Sequence, residues 1–385
     1  MVDKVIDDFQ LLEELGRGSY GCLYLGQSLT DNTYVAIKVL TKSGLDQQQL
    51  QLQQLEIHLQ SSLKHPNLLA LHRVIQDQKH IYMVMELCDQ GDLFDFVIRD
   101  QANNDVRDER LVKTCFLQIL DAVAHMHAQN VYHRDLKLEN VLLRSEDDDN
   151  DGGNFICKVA DFGLATRDRY SLEFGCGSTT YLAPEHFEDD QSCILRPEDG
   201  EFIPYDAAAS DAWSLGILLI AFLFGRNPWQ EATSVDHVYL EFSRNPTILK
   251  HQLFPSLSWP CFHFLKSVLS IHAADRPTVA EMKQQFLSLD QLLVGDNNLV
   301  NDNDDDAMDI PDIVCKASKA SYDSAVFSAG QSSISWSDML DDDPLDESWQ
   351  VEYDLMTSSS SSIQDHDHDD TDVFIHRQEK ESWWL

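Results

Sequence analysis

Residues 131–140 read Val131-Tyr132-His133-Arg134-Asp135-Leu136-Lys137-Leu138-Glu139-Asn140. An aspartate follows an arginine here, a lysine lies two residues later and an asparagine five residues later. One short loop would therefore carry a carboxylate, an ammonium group and an amide oxygen. Phosphoryl transfer uses these groups, because a carboxylate can orient the attacking hydroxyl, a cation can offset phosphate charge and an amide oxygen can hold a metal ion. The stretch predicts such a loop if other segments supply the remaining parts.

The net charge of the chain is strongly negative and unevenly distributed. The 385 residues carry a formal charge of −38, and residues 295–385 hold 23 Asp and Glu against 4 Lys and Arg, a net of −19. Such acidity argues against nucleic acid and anionic membrane as direct partners, since both are bound through Lys and Arg. Attraction of basic peptides fits this charge, and plain solvation of an acidic surface fits it equally.

Cysteine usage favours a reducing compartment. The eight cysteines form no Cys-x-x-Cys pair, and no secretory signal opens the sequence. We therefore expect an intracellular location, cytoplasmic and/or nuclear. The longest apolar run, residues 215–224, is too short to span a bilayer and predicts a buried helix.

A glycine-rich hairpin is predicted near the N-terminus. Residues 9–26 read as strand, glycine loop and strand, with Gly16, Gly18 and Gly21 in the pattern G-x-G-x-x-G. A dinucleotide-binding fold would continue into a helix, whereas Cys22-Leu23-Tyr24-Leu25 continues as a strand. Backbone N–H groups of such a hairpin can cover phosphates. The next strand, Val35-Ala36-Ile37-Lys38, ends on a lysine.

Residues 46–63 are predicted to form a helix. Glu56 is the only acid after Asp46 in this glutamine-rich segment, which makes it the natural partner of Lys38. Leucines recur at intervals of three and four, which is typical of an amphipathic helix: Leu52, Leu55, Leu59 and Leu63. Gln60 lies four residues after Glu56, and a polar side chain there would need a partner when buried. Leu59 could take its place through a small rotation of the helix.

The remaining elements follow in order. Strands are predicted near 68–76 and 80–87, an apolar packing helix over 109–128, and a strand over 155–159. Asp161-Phe162-Gly163 follows that last strand and would supply a second carboxylate beside a metal ion. We expect the acidic turn near 146–151 and residues 186–205 to form exposed insertions.

Together these segments resemble the catalytic domain of eukaryotic protein kinases over roughly residues 9–290. The resemblance rests on the glycine loop, Val35-Ala36-Ile37-Lys38, Glu56, His133-Arg134-Asp135, Asn140, Asp161-Phe162-Gly163, Ala183-Pro184-Glu185, Asp211-x-Trp213-Ser214-x-Gly216 and Asp275-Arg276-Pro277. It implies an α+β, bilobal fold within residues 1–290. The N-lobe, about 9–87, would be a small antiparallel sheet with one helix, and the C-lobe, about 92–290, would be mainly helical.

The resemblance implies an ATP site between the lobes. The three glycines would cover the phosphates, and Lys38, steadied by Glu56, would hold them. The backbone at Glu86 and Cys88 would hydrogen-bond to the adenine edge. The full set of expected nucleotide contacts is Gly16, Gly18, Gly21, Ala36, Lys38, Glu86, Cys88 and Asp92.

It also implies the chemistry of the catalytic loop. Asp135 would be the base that orients the substrate hydroxyl, and Lys137 would contact the γ-phosphate. Asn140 and Asp161 would hold Mg²⁺. Three further residues would support the large lobe and the loop: Glu185 and Arg276 as a buried ion pair, and Asp211 as an acceptor of backbone N–H groups.

Protein substrates with Ser or Thr acceptors are implied by Lys137 and by Gly177-Ser178-x-x-Tyr181. Ser178 stands where Ser/Thr kinases usually carry a threonine. Asp92 and Glu139 match positions at which kinases that prefer arginine carry acids, so basic residues upstream of the acceptor are expected. More narrowly, residues 174–185 and 223–229 resemble a fungal branch whose members act in nutrient response and in the choice between growth and meiosis.

The activation segment, residues 161–185, departs from the family. Arg134 provides a cationic pocket that a phosphate commonly fills, but Phe174 occupies the usual acceptor position. Glu173 could occupy the pocket weakly instead. We therefore predict that no activating phosphate is required there, with Ser171 and Thr179 as the alternative acceptors.

Residues 291–385 are predicted to form an acidic, serine-rich, disordered tail, because no apolar period in them could build a core. Two aromatic islands could dock a regulator or the kinase domain itself: Trp336 to Leu340 with Trp349 and Tyr353, and Trp383-Trp384-Leu385. A different class of function stays open beside the enzyme: a kinase-fold scaffold that binds partners without catalysis.

Overall fold

The computed structural model describes residues 1–18, 21–101, 107–146, 155–187 and 203–294. All of them fall within one structural unit. The predicted tail after residue 294, the acidic turn from residue 147 onwards, and residues 188–202 of the second insertion lie outside the described residues.

The small lobe is a six-stranded antiparallel sheet in the order β1-β2-β3-β4-β6-β5. Its strands are β1 (Val5–Ile6), β2 (Phe9–Gly18), β3 (Gly21–Ser28), β4 (Tyr34–Thr41), β5 (Leu71–Gln76) and β6 (His80–Met85). The sequence pattern predicts all of these except β1, which lies before the expected start at residue 9.

The lobe contains one helix, as predicted. Helix α1 (Gln47–Ser62) begins after Asp46, whose side chain accepts a hydrogen bond from the backbone N–H of Gln49. The prediction that the leucines form the buried face of this helix is wrong in the first half of the helix, because Leu52 and Leu55 are exposed. The helix turns Glu56 inward, and positions three or four residues away share that side. Its buried residues are Gln53, Glu56, Leu59 and Gln60.

Gln60 has the partners that a buried amide requires. Its Nε2 lies 3.3 Å from the carbonyl oxygen of Leu69 and 3.6 Å from Sδ of Met85. Leu59 is fully buried in the core cluster that also contains Leu63. The helix is therefore not rotated to put Leu59 in the place of Gln60.

The large lobe is mainly helical, as predicted. Its helices are α2 (Leu93–Gln101), α3 (Glu109–Ala128), α4 (Ala207–Phe224), α5 (His237–Arg244), α6 (Trp259–Val268) and α7 (Val279–Leu287). Two short antiparallel ribbons accompany them, β7 (Val141–Ser145) with β8 (Phe155–Val159), and β9 (Tyr170–Ser171) with β10 (Tyr205–Asp206).

Helix α4 is the centre of this lobe. Among the described residues it is the one helix long and apolar enough to cross a membrane, and 83% of it is buried inside the fold. Burial in the core is what the sequence predicts for its apolar run. The helix begins after Asp206, whose carboxylate accepts N–H bonds from the first turn, and ends at Gly225, where φ is 65°.

The folded region extends past the predicted domain end at residue 290. Leu292 is fully buried, and its carbonyl oxygen accepts the N–H of Ser258 at 2.8 Å. Leu293 forms a bridge with Leu257. These apolar residues close the base of the C-lobe, so its packed core includes residues beyond the predicted end at residue 290.

Candidate active site

The side chain of Asp211 in helix α4 holds the backbone of the catalytic loop, residues 131–140. Its two carboxylate oxygens accept the backbone N–H groups of His133 and Arg134, each at 2.8 Å. Nε2 of His127, at the end of α3, lies 2.8 Å from Oδ2 of Asp211. Burial alone would raise the pKa of this carboxyl, but the bonds to His127 and the loop lower it below its usual value. Asp211 is therefore a buried anion that fixes the loop backbone.

Asp135 projects from this loop into a dense set of donors. Its Oδ1 accepts the hydroxyl of Ser178 at 2.9 Å and the N–H of Ser178 at 3.0 Å. Its Oδ2 accepts Nδ2 of Asn140 at 3.0 Å and lies 3.3 Å from Nζ of Lys137. Nζ of Lys137 also donates to the Ser178 hydroxyl at 2.8 Å. The predicted residues Asp135, Lys137, Asn140 and Ser178 are thus brought together.

Gly177 makes this approach of Ser178 possible. Its φ is 115°, a backbone conformation that residues other than glycine rarely adopt. A Cβ at this position would lie 2.6 Å from the carbonyl oxygen of Arg134. The activation segment can therefore pass directly over the catalytic loop only with glycine here.

Lys38 and Glu56 form the predicted pair across the small lobe. Nζ of Lys38 lies 2.6 Å from Oε1 of Glu56, and both side chains are buried. Burial acts to lower the pKa of Lys38, but the Glu56 carboxylate and then that of Asp161 raise it above its usual value. Lys38 is therefore a permanent cation that faces both the helix and Asp161.

Asn140 and Asp161 offer oxygens suited to a hard cation such as Mg²⁺. Nδ2 of Asn140 donates to Asp135, while its Oδ1 is buried without a hydrogen-bond partner among the described residues. Asp161 has a φ of 60°, an uncommon conformation for a non-glycine residue. The backbone N–H of Ala160 donates to the carbonyl oxygen of Asn140 at 2.9 Å. Because Asp161 follows Ala160, this bond keeps Asp161 close to Asn140. The donor set and the orphaned amide oxygen fit a divalent metal ion.

The glycine hairpin covers the same cleft from above. Gly18 pairs with Gly21 at the end of the β2–β3 ladder, and Gly16 pairs with Leu23. A Cβ on Gly21 would lie 1.9 Å from the carbonyl oxygen of Val39. Ala36 in β4 belongs to an apolar cluster that also contains Leu142 of the large lobe, so the two lobes share apolar packing here.

Three carboxyl groups gather beside the catalytic loop: Asp92, Asp95 and Glu139. Asp92, an expected contact of the nucleotide and of the peptide substrate, is not open to solvent. It is fully buried, its Oδ1 accepts the N–H of Asp95 at 2.8 Å at the start of α2, and its Oδ2 has no hydrogen-bond partner in the described structure. Burial raises the pKa of Asp92 to about 8, and the nearby carboxylates add to this.

Glu139 is in a similar situation. Its Oε2 is buried and unpartnered within the described residues, and burial raises its pKa although Lys137 opposes the shift. Asp95, which the sequence reasoning missed, is half-buried and its pKa is raised by burial. The signal that could have identified it is its position three residues after Asp92, where a helix turn brings the two together.

The activation segment packs on the C-lobe through Arg134 and Tyr205. Nη1 of Arg134 lies 2.6 Å from Oε2 of Glu173 and 3.3 Å from the hydroxyl of buried Ser171. The ring of Phe174 lies 5.5 Å from that of Tyr205. The contact between Arg134 and Glu173 is the one predicted, and the Glu173 side chain is 65% exposed.

Glu185 and Arg276 form the predicted buried pair. The contact is bidentate, with N–O distances of 2.6 and 2.7 Å. The guanidinium also lies 4.9 Å from the ring of Trp213 and donates to the carbonyl oxygen of Ala209. The pair therefore ties the end of the activation segment to helix α4.

Comparison with known proteins agrees with this geometry. The model of the family described as "Protein kinase domain" matches residues 9–287. The chain is 36% identical over 256 residues to "Negative regulator of sexual conjugation and meiosis" of Schizosaccharomyces pombe, covering 63% of this chain and 52% of that protein. It is 32% identical over 298 residues to "Serine/threonine-protein kinase ksp1" of the same organism, covering 76% and 59%.

A plant relative is covered more completely. The chain is 33% identical over 250 residues to "Serine/threonine-protein kinase Aurora-1" of Arabidopsis thaliana, covering 63% of this chain and 76% of that protein. The chain spans just over half the length of the two yeast relatives. With a family match across most of its described residues and every motif of the cleft in position, the chain belongs to the protein kinase domain family.

Proposed function

We propose that this chain is an ATP-dependent serine/threonine protein kinase that transfers the γ-phosphate to hydroxyls of protein substrates. The observation that carries the proposal is the arrangement around Asp135, whose carboxylate is held by Ser178, Lys137 and Asn140 while the amide oxygen of Asn140 stays available. ATP and Mg²⁺ are the proposed substrate and metal. When bound between Asn140 and Asp161, Mg²⁺ would neutralise phosphate charge.

The side chains then have separate tasks. Asp135 orients the acceptor hydroxyl and takes its proton, since donor groups of three residues fix its carboxylate. Lys137, a cation next to Asp135, stabilises negative charge on the moving phosphoryl group. Lys38 holds the non-transferred phosphates because Glu56 keeps its ammonium group in place.

The competing proposal is a kinase-fold scaffold that binds partners without catalysis. Such a protein would not need the bonds that position Asp135, nor a spare metal-type oxygen on Asn140. Both features favour the enzyme, and an activity assay separates the two.

Replacing the base is expected to abolish transfer while the protein stays folded. Wild-type full-length chain with ATP and Mg²⁺ should phosphorylate a basic Ser/Thr peptide, and Asp135→Asn should reduce the rate by about a hundredfold to ten-thousandfold, the usual contribution of a general base. Asp290→Asn, at an exposed site of the C-lobe, should retain the rate. A wild-type chain that labels nothing, or an Asp135→Asn variant with full activity, would favour the scaffold.

A preference for basic residues upstream of the acceptor is part of the proposal. Burial is the largest cause of the raised pKa values of Asp92, Asp95 and Glu139, so a cation placed beside these carboxyl groups would favour their charged forms. A peptide guanidinium would supply the missing donors to the orphaned oxygens of Asp92 and Glu139. Because both oxygens are buried, arginine would have to enter between α2 and the loop.

A peptide library tests this preference. Peptides with arginine two or three residues before the acceptor should be phosphorylated about tenfold more efficiently than their alanine counterparts, the ratio that corresponds to about 1.4 kcal/mol. In Glu139→Gln most of this ratio should vanish, whereas Asp290→Asn should keep it. Equal rates for arginine and alanine peptides with the wild-type chain would refute the preference.

The buried carboxyl of Asp92 should also make stability depend on pH. The unfolded chain releases this proton near pH 3.8, whereas the folded chain keeps it until about pH 8. Between these values the native state binds the extra proton, so this group lowers the free energy of unfolding as pH rises. Asp92→Asn keeps the Oδ1 acceptor for Asp95 and removes the titration.

We expect Asp92→Asn to be more stable than wild type at pH 8, with the difference shrinking toward pH 4.5. Urea unfolding across this pH range, followed by tryptophan fluorescence, measures it. Asp290→Asn is the matched exposed control and should show no such trend. A constant difference between Asp92→Asn and wild type at every pH would show that Asp92 does not hold its proton in the folded state.

We further propose that activity does not require a phosphate on the activation segment. Glu173 supplies negative charge to the pocket of Arg134, and Phe174 packs on Tyr205 where an acceptor would otherwise stand. The hydroxyl of Ser171 is buried and accepts the N–H of Glu173, which protects it from modification.

Phosphatase treatment provides the test. The chain, shown by mass spectrometry to lack phosphate between residues 161 and 185, should keep its activity within about twofold. Glu173→Gln should lower activity by roughly two- to fivefold, because exposed ion pairs contribute up to about 1 kcal/mol. Glu241→Gln, which breaks a pair with Arg244 in which both side chains are exposed, should have no effect. Activity that follows a phosphate at Ser171 or Thr179 would contradict the proposal.

The remaining proposals concern the cell. We propose an intracellular kinase, cytoplasmic and/or nuclear, whose acidic tail binds a regulator or the kinase domain. The six cysteines among the described residues are all free thiols, in keeping with a reducing compartment. The name of the first yeast relative suggests a pathway that controls conjugation and meiosis.

A further inference from the structure

The segment that would read adenine lies along the β7–β8 hairpin. The N–H of Gln90 donates to the carbonyl oxygen of Leu143 at 3.0 Å, and the N–H of Leu143 donates to the carbonyl oxygen of Gly91 at 2.8 Å. The N–H of Ser145 donates to Oδ1 of Asp89 at 2.9 Å. Residues 86–91, the hinge segment, are therefore fastened to the large lobe along one strand edge.

Glu86 begins this segment, and its carboxylate binds groups of the β7–β8 hairpin. Oε1 of Glu86 lies 2.8 Å from Nζ of Lys158 in β8, and Nη1 of Arg144 in β7 binds the same oxygen. Oε2 accepts the N–H of Ala70, and the N–H of Glu86 donates back to Ala70 at 2.9 Å. One carboxylate thus connects the hinge segment, both strands β7 and β8, and the residue immediately before β5.

Burial gives this contact its strength. The side chains of Lys158 and Glu86 are 7% and 10% exposed, so neither charge can be satisfied by water if the other moves away. Breaking a buried pair by removing one partner is far more costly than breaking an exposed one. Arg144, at 36% exposure, cannot replace the buried ammonium group fully.

The hairpin also carries the two expected metal-binding residues at its base. Asn140 immediately precedes β7, and Asp161 follows β8 by one intervening residue. A rigid link from the hairpin to the hinge therefore sets the distance between the adenine end and the phosphate end of the cleft.

We propose that Lys158, with Arg144, is a positioning residue for ATP that acts through Glu86. The pair fixes the backbone of the hinge segment so that its N–H and C=O groups are pre-arranged for adenine. This inference rests on the proposed kinase function for its kinetic readout. Because the ammonium group of Lys158 binds Glu86 in the hinge segment, its loss acts on ATP binding and leaves the chemical step unchanged.

Kinetics of full-length variants give the first measurement. Lys158→Met should raise the KM for ATP about tenfold and change kcat by less than about twofold, and Lys158→Arg, which keeps a cation, should restore KM to within about threefold. Lys266→Met replaces an exposed lysine of α6 and should change neither constant. Glu86→Gln should resemble Lys158→Met, and the double variant should be no worse than the worse single one, because both variants remove the contact between Lys158 and Glu86.

Amide hydrogen exchange of the nucleotide-free chain gives a readout that needs no activity. In Lys158→Met the amides of residues 86–91 should exchange at least about fivefold faster, while those of the core helix α3 exchange as in wild type. An unchanged rate of amide exchange at residues 86–91 would overturn the proposed positioning contact between Lys158 and Glu86. Additive effects of the two single variants would overturn it as well. Faster exchange with an unchanged KM would overturn its role in ATP binding. A wild-type chain without transferase activity would refute the proposed function. The rate of amide exchange at residues 86–91 would still decide whether Lys158 fixes the hinge segment through Glu86.

Discussion

One buried carboxylate, that of Asp211, determines the conformation of the catalytic loop. A buried anion is stable only when donors surround it, and here two consecutive backbone N–H groups and His127 provide them. Two N–H groups that point to the same carboxylate demand a turn in the backbone, and Arg134 adopts a φ of 65° at that turn. The turn directs the Arg134 guanidinium to the activation segment and the Asp135 carboxylate to the cleft. The core helix α4 thereby sets both the regulatory and the chemical side of the loop.

The β7–β8 hairpin also positions the site, because it brings together parts of it that lie far apart in sequence. Asn140 and Asp161 stand at its base, and the hinge runs along its edge. Lys38 and Glu56 belong to the small lobe, and the Asp161 carboxylate extends their charge network to the large one. The substrate side is formed by the activation segment, where Gly177 lets Ser178 bind Asp135 directly. Each chemical group is thus held by an element whose position is fixed by burial.

The sequence predicts those features that depend on local motifs. The loop around Asp135, the pair of Lys38 with Glu56 and the pair of Glu185 with Arg276 lie as expected, because each motif has a fixed local geometry and an obligatory partner. The buried face of α1 could not be read from leucine spacing, since the need to turn Glu56 inward overrides it. The burial of Asp92 and the role of Lys158 depend on how distant segments pack, which no local pattern encodes. Val5–Ile6 is too short to give a strand signal.

The central claim is that Asp135, Asn140 and Asp161 form one centre for phosphoryl transfer. A crystal structure of the chain with Mg²⁺ and a non-hydrolysable ATP analogue tests it most directly. The account predicts a metal ion bound by Oδ1 of Asn140 and the carboxylate of Asp161, with the terminal phosphate facing Asp135 and the adenine on the hinge segment. Nucleotide bound elsewhere, or a metal ion that contacts neither Asn140 nor Asp161, would contradict the account.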